Sequence, residues 1–596
     1  MSRTFLRLEI ALGPPVCYTI TNMRRCAQEG RLTCMKFSDM PYTRPDLDAL
    51  REKMDDIVRR IESAESAAAQ IEAFEEYQTI SRQVQTSMTL AYVRHTIDTR
   101  DEFYDKENEF CDEAGPLLQE QVQRVGLAML GSKFRPELEQ RYGKLLFTNT
   151  EIAVRSFSPE IMDLMQEENK LASAYQKLYA SAMVDFRGEK LPLPKLGPYK
   201  ESTDRATRRE AYEAEGRFFD AHQAEFDELY TKLVKCRNAQ ARKLGHKNYI
   251  QLGYDRLGRN CYGYDEVKSF REQIANDMVP IVAAVKRDQK QRLGVENMYY
   301  YDDLMLFPDG NAKPEGTSDE ILAAGKRMYH ALSPETAEFI DDMFDMELFD
   351  VLSKPGKAPG GYCTSIPVYK MPFIFSNFNG TSGDVDVLTH EAGHAFADYR
   401  AFKKNLPMEL QSPTIEACEC HSMSMEFLTQ DYHKYFFGPQ TRKYEIGHCE
   451  DALIFIPYGC MVDEFQHLMY ENEDMTPAER NETWLKLEKK YRPWIDFENL
   501  PFYSRGAGWQ RQLHIYLYPL YYIDYCMAQT VAFQFWTLSL ENREDAWKRY
   551  LAFVDQGGSK TFAELCHAAG LRVPYEPGCI RAIGDGISRW IAENPL

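Results

Sequence analysis

Long apolar runs are the first thing this sequence lacks. No uninterrupted stretch of about 18 apolar residues occurs, so no transmembrane helix and no membrane partner are expected. Basic charge is also short: 71 Lys and Arg stand against 91 Asp and Glu, a net charge of −20. Phosphate contacts need clustered cations, and no basic stripe with interleaved aromatics occurs, so no nucleic-acid partner is expected. There is no Cys-x-x-Cys pair. The 14 cysteines lie singly along the chain, apart from Cys418 and Cys420, which argues against a four-cysteine structural zinc site and a thioredoxin-type redox site. Nor is this the dense framework of a small secreted scaffold; reduced thiols in a cytoplasmic protein are the simplest reading. Tandem repeats and low-complexity tracts are missing as well.

What is present describes an ordinary globular chain. Its 596 residues are 44% hydrophobic and 27% charged, enough for two to four domains or one large lobed enzyme. The opening stretch carries Glu9, Pro14 and Pro15, which cut short any signal-like apolar segment. Helical patterning begins only after Met35, so residues 1–34 are expected to be a poorly ordered extension, or sequence read from an early start. From Pro45 to about Ala180 the pattern is one of long amphipathic helices. A hairpin is predicted around Arg187-Gly188-Glu189, followed by a proline-bearing linker. Helical periodicity then resumes. The expected division is an N-terminal helical region over 35–199 and a catalytic region over 200–596.

Within the second region, "GGYCTSIPVYKMPFIFSNFNGTSGDVDVL" is rich in β-branched and aromatic residues and punctuated by Gly360, Gly361, Gly380 and Gly383. It predicts strands in an otherwise helical protein. An edge strand there would bind an extended peptide through its backbone, with Gly360, Gly361, Phe378 and Gly380 as candidate contacts; a plain structural hairpin is the alternative.

Directly afterwards comes "HEAGH". Positions i and i+4 of a helix differ by only about 40°, so His390 and His394 project from one face and can converge on a cation. Glu391 sits one step round, able to reach a coordinated water without being a ligand. With 12 histidines in the chain, chance would produce such a motif only on the order of 0.02 times. A catalytic zinc needs a third protein ligand. The stretch "SPTIEACECHSMSMEFL" reads as a helix opening at Ser412-Pro413, with Glu416, Glu419 and Glu426 along one face. Spacing alone does not say which of the three is the ligand and which are outer partners that orient the imidazoles.

These motifs resemble the oligoendopeptidase F and thimet oligopeptidase family of zinc metallopeptidases, most closely the bacterial Pz-peptidase-like oligoendopeptidases. The resemblance runs from Met35 to the C-terminus and includes "FIPYGCMVDEFQH" and "HIYLYPLYYIDY". It implies a mainly α, two-lobed, neurolysin-like metallopeptidase with a deep substrate channel and a small β-sheet beside the active-site helix. It implies one Zn²⁺ per chain on His390, His394 and Glu419, with Glu416 and Glu426 as outer partners. The implied reaction is internal cleavage of short unstructured peptides, with Glu391 as general base to the water that the metal activates. For the oxyanion it points to His514 and Tyr525, then Tyr521, with Tyr518 and Tyr522 behind them.

Other readings stay open. Asp398, one turn beyond His394, is either an outer partner of the site or, more simply, a solvated surface acid. Cys418 and Cys420 read as small core residues, and His421, His448 and His467 as structural. A di-iron carboxylate protein would use Glu391-x-x-His394 and Glu445-x-x-His448, at the cost of leaving His390 unexplained. A non-catalytic peptide-binding relative would have no need of the base. Cleavage-site preference and oligomeric state are not assigned by one sequence.

Overall fold

The computed structural model describes residues 35–593; the expectation for residues 1–34 lies outside them. The described chain is mainly helical, with one two-stranded and one three-stranded sheet. Its first long helix shows why. "LDALREKMDDIVRRIE" spaces Leu50, Met54, Ile57, Val58 and Ile61 at helical intervals, and all five are buried in helix Leu47–Glu62. Asp46 accepts from the N–H groups of Asp48 and Ala49, which satisfies two of the donors that every helix start leaves over. The stripe packs with Phe74, Tyr77, Val125 and Met129 from the next two long helices. Burying each such side chain contributes about 2 kcal/mol.

The structure separates into two compact units. One holds residues up to Thr150, Pro314–Pro413 and Val554–Lys560; the other holds Glu151–Lys313, Thr414–Phe553 and the chain from Thr561 onward. No helix among the described residues is long and apolar enough to cross a membrane.

The predicted hairpin is present in the second unit. Strands β1 (Met183–Phe186) and β2 (Glu189–Pro192) pair antiparallel. Arg187 and Gly188 between them both have positive φ, 52° and 87°, as a two-residue type I′ turn requires.

The first unit contains the three-stranded sheet: β3 (Phe349–Leu352), β4 (Tyr362–Ile366) and β5 (Met371–Phe378), in the order β3-β5-β4. Strand β5 runs parallel to β3 and antiparallel to β4, and nearly all of its residues are buried. Helix Gly383–Phe402, which carries both histidines of the motif, packs on β5 and β4. Its start is anchored by Asp384, whose carboxylate accepts from the N–H groups of Asn379 at 2.8 Å and Gly380 at 2.7 Å. An acid in this first turn also suits the helix dipole. Gly380 has φ +84°, a conformation glycine adopts without strain. Near the other end Arg400 pairs with Asp555 at 2.6 Å.

In the second unit the glutamate-bearing helix runs Ile415–Leu428. It begins at Ile415 rather than at Ser412-Pro413. Thr414 is extended, and its hydroxyl donates to Glu416 Oε1 at 2.7 Å instead of capping a backbone N–H. This helix packs against Tyr522–Glu541 more extensively than any other pair of elements in the described chain.

Candidate active site

The motif folds as its spacing predicts. His390 and His394 lie one turn apart, half-buried, with ring centroids 5.0 Å apart and planes at 82°. Leu388, Ala392, Ala395 and Phe396 between and around them are buried, so the helix rotates its two imidazoles out of an apolar seat. His390, His394 and Glu419 each offer one donor atom, and these atoms lie within 4.8 Å of one another. Among the described residues no other group of three or more His, Cys, Asp or Glu side chains is gathered this way. Ligand atoms around a tetrahedral zinc are separated by about 3.4 Å, given metal–ligand distances of about 2.1 Å. Two imidazoles and one carboxylate within that bound fit such an ion by geometry and by donor chemistry.

Glu419 itself is only 7% exposed. Tyr521 donates its hydroxyl proton to Glu419 Oε1 at 2.9 Å, and Ser422 Oγ donates to Oε2 at 3.3 Å. The other two acids of this helix have partners of their own. Glu416 is fully buried and accepts from Thr414; burial first, then the charge of Asp524, push its carboxyl up to about 7. Glu426 pairs with His448, whose Nε2 lies 2.9 Å from Glu426 Oε2, so that histidine engages an acid the sequence reading places at the site. Glu445, needed by a di-iron arrangement, has Arg442 at 3.5 Å.

The tyrosine-rich stretch supplies a cluster of rings. His514 lies 4.7 Å from Tyr522, 6.0 Å from Tyr521 and 6.1 Å from Tyr525, centroid to centroid, and Tyr521 lies 4.8 Å from Tyr525. Tyr518 lies 5.9 Å from His514 as well, on the open side of the group, where it is 56% exposed. Gln512 Nε2 donates to His514 Nδ1 at 2.9 Å, and burial lowers the pKa of the imidazole. A donor at Nδ1 and burial both favour the neutral ring with its proton on Nε2. Sequence reading did not single out Gln512; no periodicity marks a residue that acts by fixing a tautomer.

The four strand candidates are placed differently from one another. Gly360 and Gly361 lead into β4, a sheet edge, and the side-chain amide of Asn377 donates to the Gly360 carbonyl at 2.9 Å. Phe378 ends the inner strand β5, in register with Leu352 of β3. Gly380 follows in the turn before the histidine helix.

Asp398 is not a solvated surface acid. It is half-buried and accepts from Ser365 of β4, a residue 33 positions earlier that no local pattern connects to it. Burial pushes its carboxyl up to about 6 from 3.8. An acid whose folded pKa is raised contributes stability below pH 4 that is lost as pH rises through 6. Asp398→Asn removes that loss. Its stability relative to the wild type is expected to improve by about 2 kcal/mol between pH 4 and pH 7, discounted for the solvent that reaches the side chain. Urea unfolding at the two pH values measures it, and an equal difference at both contradicts the assignment.

A mainly helical chain with a His-Glu-x-x-His helix and a glutamate brought to its two imidazoles belongs to the class of metallo-endopeptidases. Comparison with known proteins places it more narrowly. The family model "Peptidase M3 N-terminal domain" matches residues 37–157, and "Peptidase family M3" matches residues 198–585. Pz peptidase A, solved with inhibitor 2, is 47% identical and superposes with a TM-score of 0.87, over 94% of this chain and 99% of that one. An oligoendopeptidase F homolog of Borreliella burgdorferi is 23% identical over 67% of this chain and 69% of its own. Group B oligopeptidase PepB of Streptococcus agalactiae is 23% identical over 62% of this chain and 61% of its own. The chain belongs to peptidase family M3.

Proposed function

We propose that this metallo-endopeptidase is a zinc-dependent oligoendopeptidase acting on internal bonds of short, unstructured peptides. His390, His394 and Glu419 hold the ion and Glu391 is the general base. The observation that carries this is the convergence of the three donor atoms within 4.8 Å. When bound, zinc supplies a Lewis acid for the scissile carbonyl and lowers the pKa of water at the site.

The remaining chemistry falls to the chain's own groups. Glu391 follows His390 directly and is half-buried; it takes a proton from the attacking water and delivers it to the leaving amine nitrogen. Neutral His514 directs Nε2–H at the carbonyl oxygen as negative charge grows there, and Tyr525 adds a second donor. Tyr521 reaches the oxyanion less directly, since its hydroxyl is already given to Glu419. Glu416 and Glu426 support the ligand helix from their own partners. The backbone around Gly360 and Gly361, ahead of edge strand β4, takes an extended peptide, with Phe378 and Gly380 at the other end of the same run. Main-chain recognition of this kind binds many sequences alike, which suits an enzyme acting on mixed peptides. In this reading residues 200–596 carry catalysis and residues 35–199 form the N-terminal helical region. A reducing cytoplasm is the proposed location, in keeping with the 11 free cysteines of the described residues.

The direct test is cleavage of an internally quenched peptide, with the products identified by mass. Activity is expected to vanish with a chelator and to return with one zinc equivalent per chain. Cleavage that persists after metal removal overturns the zinc reading, and no cleavage with zinc bound favours a non-catalytic relative. Tyr525→Phe is expected to lower kcat about tenfold or more with little change in KM, the pattern of a contact made only in the transition state. A pure KM effect assigns Tyr525 to substrate binding instead.

A further inference from the structure

Leu520 stands out in the second unit as a buried, non-glycine residue in the left-handed region, with φ +65°. An L side chain there is crowded against its own backbone. The local sequence explains how the chain gets there but not why it stays. Pro519 precedes Leu520, and the Tyr521 N–H donates back to the Tyr518 carbonyl at 3.3 Å, closing a turn whose third position ordinarily calls for glycine.

Three contacts hold Leu520 in place. Its N–H donates to Gln466 Oε1 at 3.0 Å, and Gln466 is itself oriented by donating Nε2 to the Val462 carbonyl at 3.2 Å. Its carbonyl accepts from Arg259 at 2.6 Å, and the same guanidinium nitrogen donates to Asp524 at 2.7 Å, in the first turn of the following helix. Its side chain enters a notch at Gly253, where an added Cβ would stand 2.8 Å from Leu520 Cδ1. Both backbone polar groups and the side chain are thus gripped by elements distant in sequence. Strained backbone persists only where its surroundings over-determine it, and such places gather at functional sites. The next residue is Tyr521, whose hydroxyl donates to Glu419 Oε1 at 2.9 Å.

We infer that Gln466 and Arg259 are positioning residues that lock Leu520 in its left-handed turn, aim Tyr521 at Glu419, and so set how firmly the metal is retained. This rests on Glu419 being a metal ligand. Outer partners that orient a ligand typically change metal affinity by roughly 10–100-fold, and here the outer partner is itself oriented by a backbone clamp two steps away.

The test uses the full-length zinc-loaded protein and follows the rate of zinc loss to a chromophoric chelator. Leu520→Ile keeps the side-chain volume but is β-branched and resists positive φ; it is expected to lose zinc about tenfold faster. Leu520→Gly gives up the side chain but keeps the backbone conformation, and should lose zinc at close to the wild-type rate. The reverse order would mean that side-chain packing, not backbone geometry, matters, and would overturn the inference. Gln466→Met, which removes the acceptor at similar size, and Tyr521→Phe are each expected to accelerate zinc loss about tenfold. The double variant should be no faster than Tyr521→Phe, because both act through one contact. Additive effects, or a Gln466→Met rate equal to wild type, would also overturn it. If Gln466→Met does not fold, the Leu520 pair decides. Glu419→Ala separates the two ideas: unchanged zinc loss in that variant ends the ligand reading, whereas zinc lost there but not in Leu520→Ile ends only the clamp.

Discussion

Replacing Glu391 by glutamine is expected to reduce kcat about a thousandfold or more while each chain still binds one zinc ion. Glutamine matches glutamate in size and keeps a hydrogen-bonding oxygen, so it can still touch a water molecule. It cannot take up that molecule's proton at neutral pH. General acid–base assistance is worth about 10²–10⁴-fold, and here one side chain is proposed to act twice, on the water and on the leaving nitrogen. KM should move little, because the proposed peptide contacts are to the backbone around Gly360 and Gly361, away from this group. Metal analysis beside steady-state kinetics checks both halves of the expectation. Zinc lost together with activity would make Glu391 part of the binding set, contrary to its position one residue off the face shared by His390 and His394.

Glu419→Ala should do the opposite: it empties the metal site and loses activity as a consequence. Two imidazoles one helical turn apart, with 5.0 Å between ring centroids, remain, but a catalytic zinc ordinarily takes three protein ligands. The loss of affinity should exceed the roughly 10–100-fold that an outer partner costs. A modest return of activity in excess zinc would agree with this, since the base and the oxyanion donors are untouched. Glu416→Gln is the control on the same helix. It lies three residues earlier and is fully buried beside Thr414, and it should keep the ion. If Glu416→Gln loses zinc and Glu419→Ala keeps it, the ligand assignment is wrong by one helical turn.

Much of the site was legible in the chain. His390 and His394 stand four positions apart, and any α-helix brings such a pair to one face, whatever surrounds it. The hairpin at Arg187-Gly188 was legible for a similar reason: apolar and polar residues alternate on both sides of a short glycine-bearing turn, a period-two pattern that suits paired strands. The proposed third ligand was not. Glu416, Glu419 and Glu426 share a face by spacing, and only their surroundings tell them apart, with Thr414 on the first, Tyr521 on the second and His448 on the third. Family resemblance pointed to Glu419, the acid whose donor atom lies within 4.8 Å of those of the two histidines. Asp398 was misjudged because its partner, Ser365, comes from a strand 33 residues away. Leu520 was invisible because positive φ is normally announced by Gly or Asn.

The amino-acid sequence by itself determined the helical character of the chain, the helix that carries His390 and His394 on one face with Glu391 beside them, and the reaction class these suggest. Such features follow from intervals of two, three and four residues, which backbone geometry converts to faces and turns in the same way in every protein. Only the tertiary structure decided which acid's oxygens stand beside the imidazoles, which tyrosine is tied to that acid, and why a leucine holds a glycine's conformation. Those outcomes depend on contacts between residues dozens to hundreds of positions apart, and no short-range spacing encodes where packing will bring them together.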